Sequence, residues 1–104
     1  MKNTFQIYLI SDSTGETLDR IFLALKAQFS KIEYKVHSFS FVRTENQITK
    51  ILENARKEDN SVILYTIVDN NLAKFLANKS EDKQLPCFGV LGNLILSFSK
   101  LLNQ

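Results

Sequence analysis

The chain has 104 residues, 44% hydrophobic and 23% charged, with a formal net charge of +2. A chain of this length holds one domain that buries roughly two-thirds of its unfolded surface, and its ordinary composition excludes disordered and fibrous classes. The small basic excess, spread over scattered lysines, argues against a nucleic-acid partner. The absence of an apolar run of roughly 20 residues argues against a membrane span.

Taken in order, Phe5 to Ile10 is continuously apolar and β-favouring, which predicts a strand buried on both faces. At Ser11 the character changes to a polar loop, Ser11-Asp12-Ser13-Thr14-Gly15-Glu16-Thr17. Leu18, Ile21, Phe22, Leu25 and Phe29 then recur at helical spacing. Ser13 with Glu16 three residues on fits a capping box. Four hydroxyls in the seven residues Ser11 to Thr17 exceed what a cap needs, so a functional loop stands as the second reading. Because the N-terminus enters a strand rather than a cleavable leader, the expected location is the cytoplasm.

A second strand is expected over Tyr34 to Val42, and Thr44 with Gln47 forms another capping box for a helix over Glu45 to Lys57. Its apolar stripe is Ile48, Ile51, Leu52 and Ala55. After the polar turn Glu58-Asp59-Asn60, Val62 to Val68 predicts a central buried strand. Asp69 and Asn70 cap a short third helix whose buried face is Leu72, Phe75 and Leu76, and Ser80 to Gln84 is a charged connector. Pro86 opens a last strand, Cys87 to Val90. Gly92-Asn93 leads into a final helix with Leu94, Ile95, Phe98, Leu101 and Leu102 apolar and Leu96 outside that stripe.

Strand and helix therefore alternate four times, with connections short enough to require right-handed crossovers. The predicted fold is α/β, a three-layer Rossmann-like arrangement with a four-stranded parallel sheet of order 2-1-3-4. In that order the chain reverses direction between the first and third strands, which opens a crevice there. Three loops meet at it: Ser11 to Thr17, Val42 to Glu45, and Thr66 to Asn70.

The crevice candidates are Asp12, Ser13, Thr14, Gly15, Thr17, Arg43, Thr44 and Asp69. The hydroxyls, the first-turn N–H groups and Arg43 suit phosphate contact. Asp12 and Glu16 oppose it, since a carboxylate about 4 Å from a phosphate charge costs on the order of 4 kcal/mol at an effective dielectric of 20. A phosphate beside Asp12 therefore needs an arginine or a metal between them. Thr14-Gly15-Glu16-Thr17 also carries the Thr-Gly-x-Thr core of a flavodoxin phosphate loop, so flavin binding is a further reading, tested by colour on adding flavin mononucleotide.

With three glycines, the chain contains neither G-x-x-x-x-G-K-[ST] nor G-x-G-x-x-G. The lone His37 lies within a strand, where packing is the plainer reading. Asp69 is first a helix cap and second a candidate base. The single Cys87 forms no internal disulfide and has no ligand partners at metal spacing, so core packing is expected and no metal.

Ile10-Ser11-Asp12-Ser13-Thr14-Gly15-Glu16-Thr17, Gln28-Phe29, Phe41-Val42-Arg43-Thr44, Leu64-Tyr65-Thr66-Ile67-Val68-Asp69 and Leu85-Pro86-Cys87 follow one another through nearly all of the chain. In that order they resemble the amino-terminal part of the pyruvate, phosphate dikinase and phosphoenolpyruvate synthase regulatory proteins. The resemblance implies a bifunctional enzyme. Its kinase uses ADP to phosphorylate a threonine of the target, and its phosphate-dependent pyrophosphorylase removes that group. ADP and phosphate are thus implied as substrates of the full-length family, with no cofactor in this chain. The family's P-loop belongs to a carboxyl-terminal domain outside this sequence. Residues 1–104 are therefore expected to be a single amino-terminal domain, inactive alone as a kinase. The target enzyme, the P-loop domain and a second copy covering the last helix are the expected partners. A pure interaction module without chemistry is the competing reading.

Overall fold

A computed structural model describes residues 4–104 of the chain. The elements alternate as β1 (Thr4–Ser11), α1 (Glu16–Gln28), β2 (Glu33–Phe39), α2 (Glu45–Arg56), β3 (Ser61–Thr66), α3 (Asn70–Asp82), β4 (Cys87–Gly89) and α4 (Gly92–Leu102). All pairings are parallel and the sheet order is β2-β1-β3-β4, the order expected from the sequence. β1 lies between β2 and β3, with Ile10 opposite Phe39 on one side and Tyr65 on the other.

Two apolar clusters flank the sheet, because a parallel strand in this position must bury both faces. Ile7 and Leu9 point to one side with Leu18 and Phe22 of α1 and Leu64 of β3. Tyr8 and Ile10 point to the other, against Ile48, Leu52 and Ala55 of α2, Ile63 of β3, and Leu72 and Leu76 of α3. Ile10, Ile48, Leu52, Ile63 and Leu76 have no exposed surface, and full burial of each contributes about 1.5–3 kcal/mol. The capping box of α2 is complete: Gln47 N–H donates to Thr44 Oγ1 at 3.1 Å and Thr44 N–H donates to Gln47 Oε1 at 3.0 Å. Such a cap stabilises a helix by about 1 kcal/mol.

Several expectations are corrected. The Ser13–Glu16 capping box does not form; Gly15 is the N-cap of α1 at φ 87°, with no side-chain cap. Ser13 is drawn back instead toward Ser11, whose Oγ accepts its N–H at 3.1 Å. β2 stops at Phe39 rather than Val42, because Phe41 turns into the left-handed region at φ 55° and bends the chain. β3 stops at Thr66 rather than Val68, whose N–H is taken by the Asp12 carboxylate at 2.8 Å. The third helix is not short. It continues through the expected Ser80 connector to Asp82, with Ser80 fully buried.

Phe29 and Leu25, expected on the buried stripe of α1, are exposed. No residue of α4 is buried, so Leu94, Ile95, Leu96, Phe98, Leu101 and Leu102 all present apolar surface. His37 is packed: its Nε2 pairs with Gln6 Oε1 at 2.8 Å, and its ring stacks on Tyr8 at 4.5 Å between centroids. Cys87 packs partly buried against the larger cluster. Burial pushes its thiol above the usual range, against a smaller lowering by the Ser80 hydroxyl, so it carries little thiolate at neutral pH. Among the described residues, no helix is long and apolar enough to cross a membrane, and no cluster of three or more His, Cys, Asp or Glu could hold a metal.

Candidate functional site

The three loops expected at the crevice are tied together at the carboxyl ends of β1, β2 and β3. Asp12 N–H donates to the Thr66 carbonyl at 3.2 Å, which carries the first loop alongside the end of β3. Phe41 N–H donates to the Ser13 carbonyl and Val42 N–H to the Ser11 carbonyl, each at 2.9 Å, so the loop after β2 is laced onto the loop after β1. Asp12 Oδ2 then accepts the Val68 N–H at 2.8 Å. A single aspartate therefore joins the loops after β1 and β3 through both main chain and side chain.

Arg43 enters from the second loop. Its Nε donates to the Asp12 carbonyl at 3.2 Å, and its guanidinium carbon lies 5.3 Å from the centroid of the Phe41 ring. Its own N–H donates to Gln47 Oε1 at 2.8 Å, so the oxygen that caps α2 also steadies Arg43. Asp69 caps α3, its Oδ1 accepting Asn71 N–H at 2.9 Å and Leu72 N–H at 3.3 Å. Asp12, Arg43, Asp69 and Leu72 line one open cavity of about 440 Å³.

The remaining predicted residues divide. Thr14 and Gly15 line a separate, smaller hollow of about 20 Å³ with Ser11, Asp19, Ser38 and Ser40, room for about one water molecule. Gly15 is required there as the left-handed entry to α1, a conformation that other residues adopt only at a cost. Ser13 is exposed and bonds within its own loop. Thr44 is occupied as the cap of α2. Thr17 is exposed on the first turn of α1 and lines neither cavity.

Around the site, Phe41, Ser38 and Ser40 are not singled out by the sequence, whereas Gln47 and Leu72 are expected from it only as a helix cap and a packed residue. The last two hydroxyl residues of the second strand region, Ser38 and Ser40, were visible as polar positions of its alternation. Phe41 was hidden, because nothing in its type announces a positive φ.

Chemically, the crevice offers one guanidinium and two carboxylates, each carboxylate already holding main-chain N–H groups. Such a set is suited to hydrogen-bonding a polar group. The family model described as kinase/pyrophosphorylase matches residues 7–104.

The chain belongs to the kinase/pyrophosphorylase family.

A relative from Pelagibacter ubique (strain HTCC1062), bearing the name pyruvate, phosphate dikinase regulatory protein, is 70% identical over 104 residues, all of this chain and 38% of the relative. Relatives of the same name from Geotalea daltonii and Geotalea uraniireducens are 39% and 38% identical over 97 residues, 93% of this chain and 36% of each relative. The chain thus spans little more than a third of the length of the curated relatives it matches.

Proposed function

We propose that this chain is the amino-terminal domain of a bifunctional regulator. The parent enzyme would phosphorylate a threonine of pyruvate, phosphate dikinase or phosphoenolpyruvate synthase with ADP, and would remove that phosphate with inorganic phosphate, releasing pyrophosphate. The domain's own part is a ledge at the sheet's carboxyl rim that contacts the target and orients phosphate groups delivered from a carboxyl-terminal P-loop domain. The observation that carries this reading is the convergence of Asp12, Arg43 and Asp69 on one cavity, in a chain whose relatives are named as dikinase regulators.

Phosphoryl transfer depends mainly on positioning and charge stabilisation, and the crevice supplies one guanidinium, that of Arg43, with no lysine in a glycine-rich cradle anywhere in the sequence. The isolated chain, mixed with ADP and a phospho-histidine form of the target, is therefore expected to give no turnover. Phosphothreonine formation under those conditions would refute the division of labour.

The exposed apolar side of α4 favours a second reading, an interaction module without chemistry. Capture of the dikinase by this domain alone, with phosphotransfer in a full-length relative indifferent to the crevice, would support it. On the first reading α4 seats the carboxyl-terminal domain, and in the isolated chain a second copy covers it. A solution mass independent of concentration counts against that second copy.

A further inference from the structure

Arg43 is held from two sides before any ligand arrives. Its Nε is used by the Asp12 carbonyl and one face of its guanidinium lies over the Phe41 ring. Its two terminal amino groups, with four N–H donors, carry no partner among the described residues. Arg43 lines the 440 Å³ cavity, so the unused fork belongs to an open and reachable space. A guanidinium fixed in this way loses less freedom on binding a planar or tetrahedral oxyanion than a free one does.

Phe41 strengthens the case. A bulky residue at φ 55° is rare and strained, and strain of this kind persists where the surroundings over-determine it. Core packing does not account for the ring, which is 52% exposed. Its contacts to the rest of the site are its N–H on the Ser13 carbonyl and the stack beneath Arg43.

We propose that the free end of Arg43 is an oxyanion receptor whose ligand is a phosphate group, with Phe41 as the positioning residue that keeps the fork in place. The choice of phosphate over other oxyanions rests on the kinase/pyrophosphorylase reading above; the receptor itself rests on the geometry. Asp12 and Asp69, in the same wall, repel a bare dianion. A singly charged phosphate avoids much of that repulsion. Its P–OH donates to one of the carboxylates while its other oxygens accept from Arg43. Sulfate has the same shape but carries no such hydroxyl.

The test is a titration of the ¹⁵N-labelled chain near pH 6, where a phosphate monoester is about half singly charged, following the Arg43 Nε–H signal at constant ionic strength. Arg43→Lys assigns that signal by its loss. Inorganic phosphate or phenyl phosphate is expected to move it saturably, with sulfate at least about fivefold weaker. Phe41→Gly, which suits the positive φ and so retains the fold, is expected to weaken phosphate binding about threefold, and Phe41→Tyr to restore it. A melting temperature for Phe41→Gly at or above that of the parent separates lost positioning from lost folding.

Saturation by inorganic phosphate alone identifies the free ion as the source, and saturation by phenyl phosphate as well identifies a phosphorylated side chain. A shift reproduced by chloride, or the absence of saturation, overturns the receptor, and equal saturation by sulfate overturns the choice of phosphate. An unchanged affinity in Phe41→Gly overturns the role of the ring. None of these outcomes touches the dikinase reading, which fails separately if the full-length relative does not modify the dikinase.

Discussion

Replacing both Asp12 and Arg43 by alanine at the matching positions of a full-length relative is expected to lower phosphotransfer to the dikinase at least about tenfold, with the fold retained. The magnitude corresponds to roughly 1.4 kcal/mol of lost transition-state positioning, which two disrupted polar contacts readily supply. Asp12 ties the loop after β3 to the loop after β1 through Val68, and Arg43 bridges the loop after β2 to the same aspartate. Without them three loop ends lose their shared anchor, and the partner groups they orient drift from a reactive geometry. The measurement is kcat and KM for the double variant beside a circular dichroism melt. A normal rate in a stably folded variant would reduce both residues to loop fasteners.

Ile10→Ala is expected to be the more damaging change for the isolated domain. Ile10 is fully buried at the carboxyl end of β1, one residue before Ser11, and joins the larger apolar cluster beneath α2 and α3. Truncating a buried isoleucine to alanine removes about 2–5 kcal/mol through lost transfer energy and the cavity left behind. Against a typical total stability of about 5–15 kcal/mol, that is a large share, and in a domain of this size it lowers the melting temperature by on the order of 15 °C. Thermal unfolding followed by circular dichroism checks it. A drop of only a few degrees would mean that the cluster collapses around the gap, and that the rim is less firmly seated on the core than the burial of Ile10 implies.

The sheet order was legible because four apolar runs alternating with helical stripes leave few right-handed solutions. The Thr44–Gln47 box and the Asp69 cap were equally plain, since both rest on local side-chain chemistry at fixed spacing. Element ends were harder wherever tertiary contacts set them. Val68 has the composition of a strand residue, yet the carboxylate of Asp12, far away in sequence, claims its N–H. Ser80 looks like the start of a polar connector, yet it continues α3 in full burial.

The gathering of Asp12, Arg43 and Asp69 followed from topology, because all three stand just beyond the carboxyl ends of neighbouring strands. Proximity in sequence also puts Ser13 and Thr17 at the crevice, but nothing in their residue types signals the direction in which each side chain leaves the loop. Gly15 turns left-handed between them, so Ser13 folds back on Ser11 while Thr17 rides outward on the helix. The stripe of α4 carried the opposite lesson. Periodicity identifies an apolar face but not the surface that covers it, and among the described residues no element buries that face.

The most direct test of the rim as a working surface is whether the proposed target enzyme touches this domain there. Unlabelled pyruvate, phosphate dikinase would be added to the ¹⁵N-labelled chain, and the loss of amide signal followed residue by residue. The rim account predicts selective loss over Ser11 to Thr17, Phe41 to Thr44 and Thr66 to Asp69. Loss confined to the opposite end of the sheet, around Glu58 to Ser61 and Lys83 to Pro86, would contradict it.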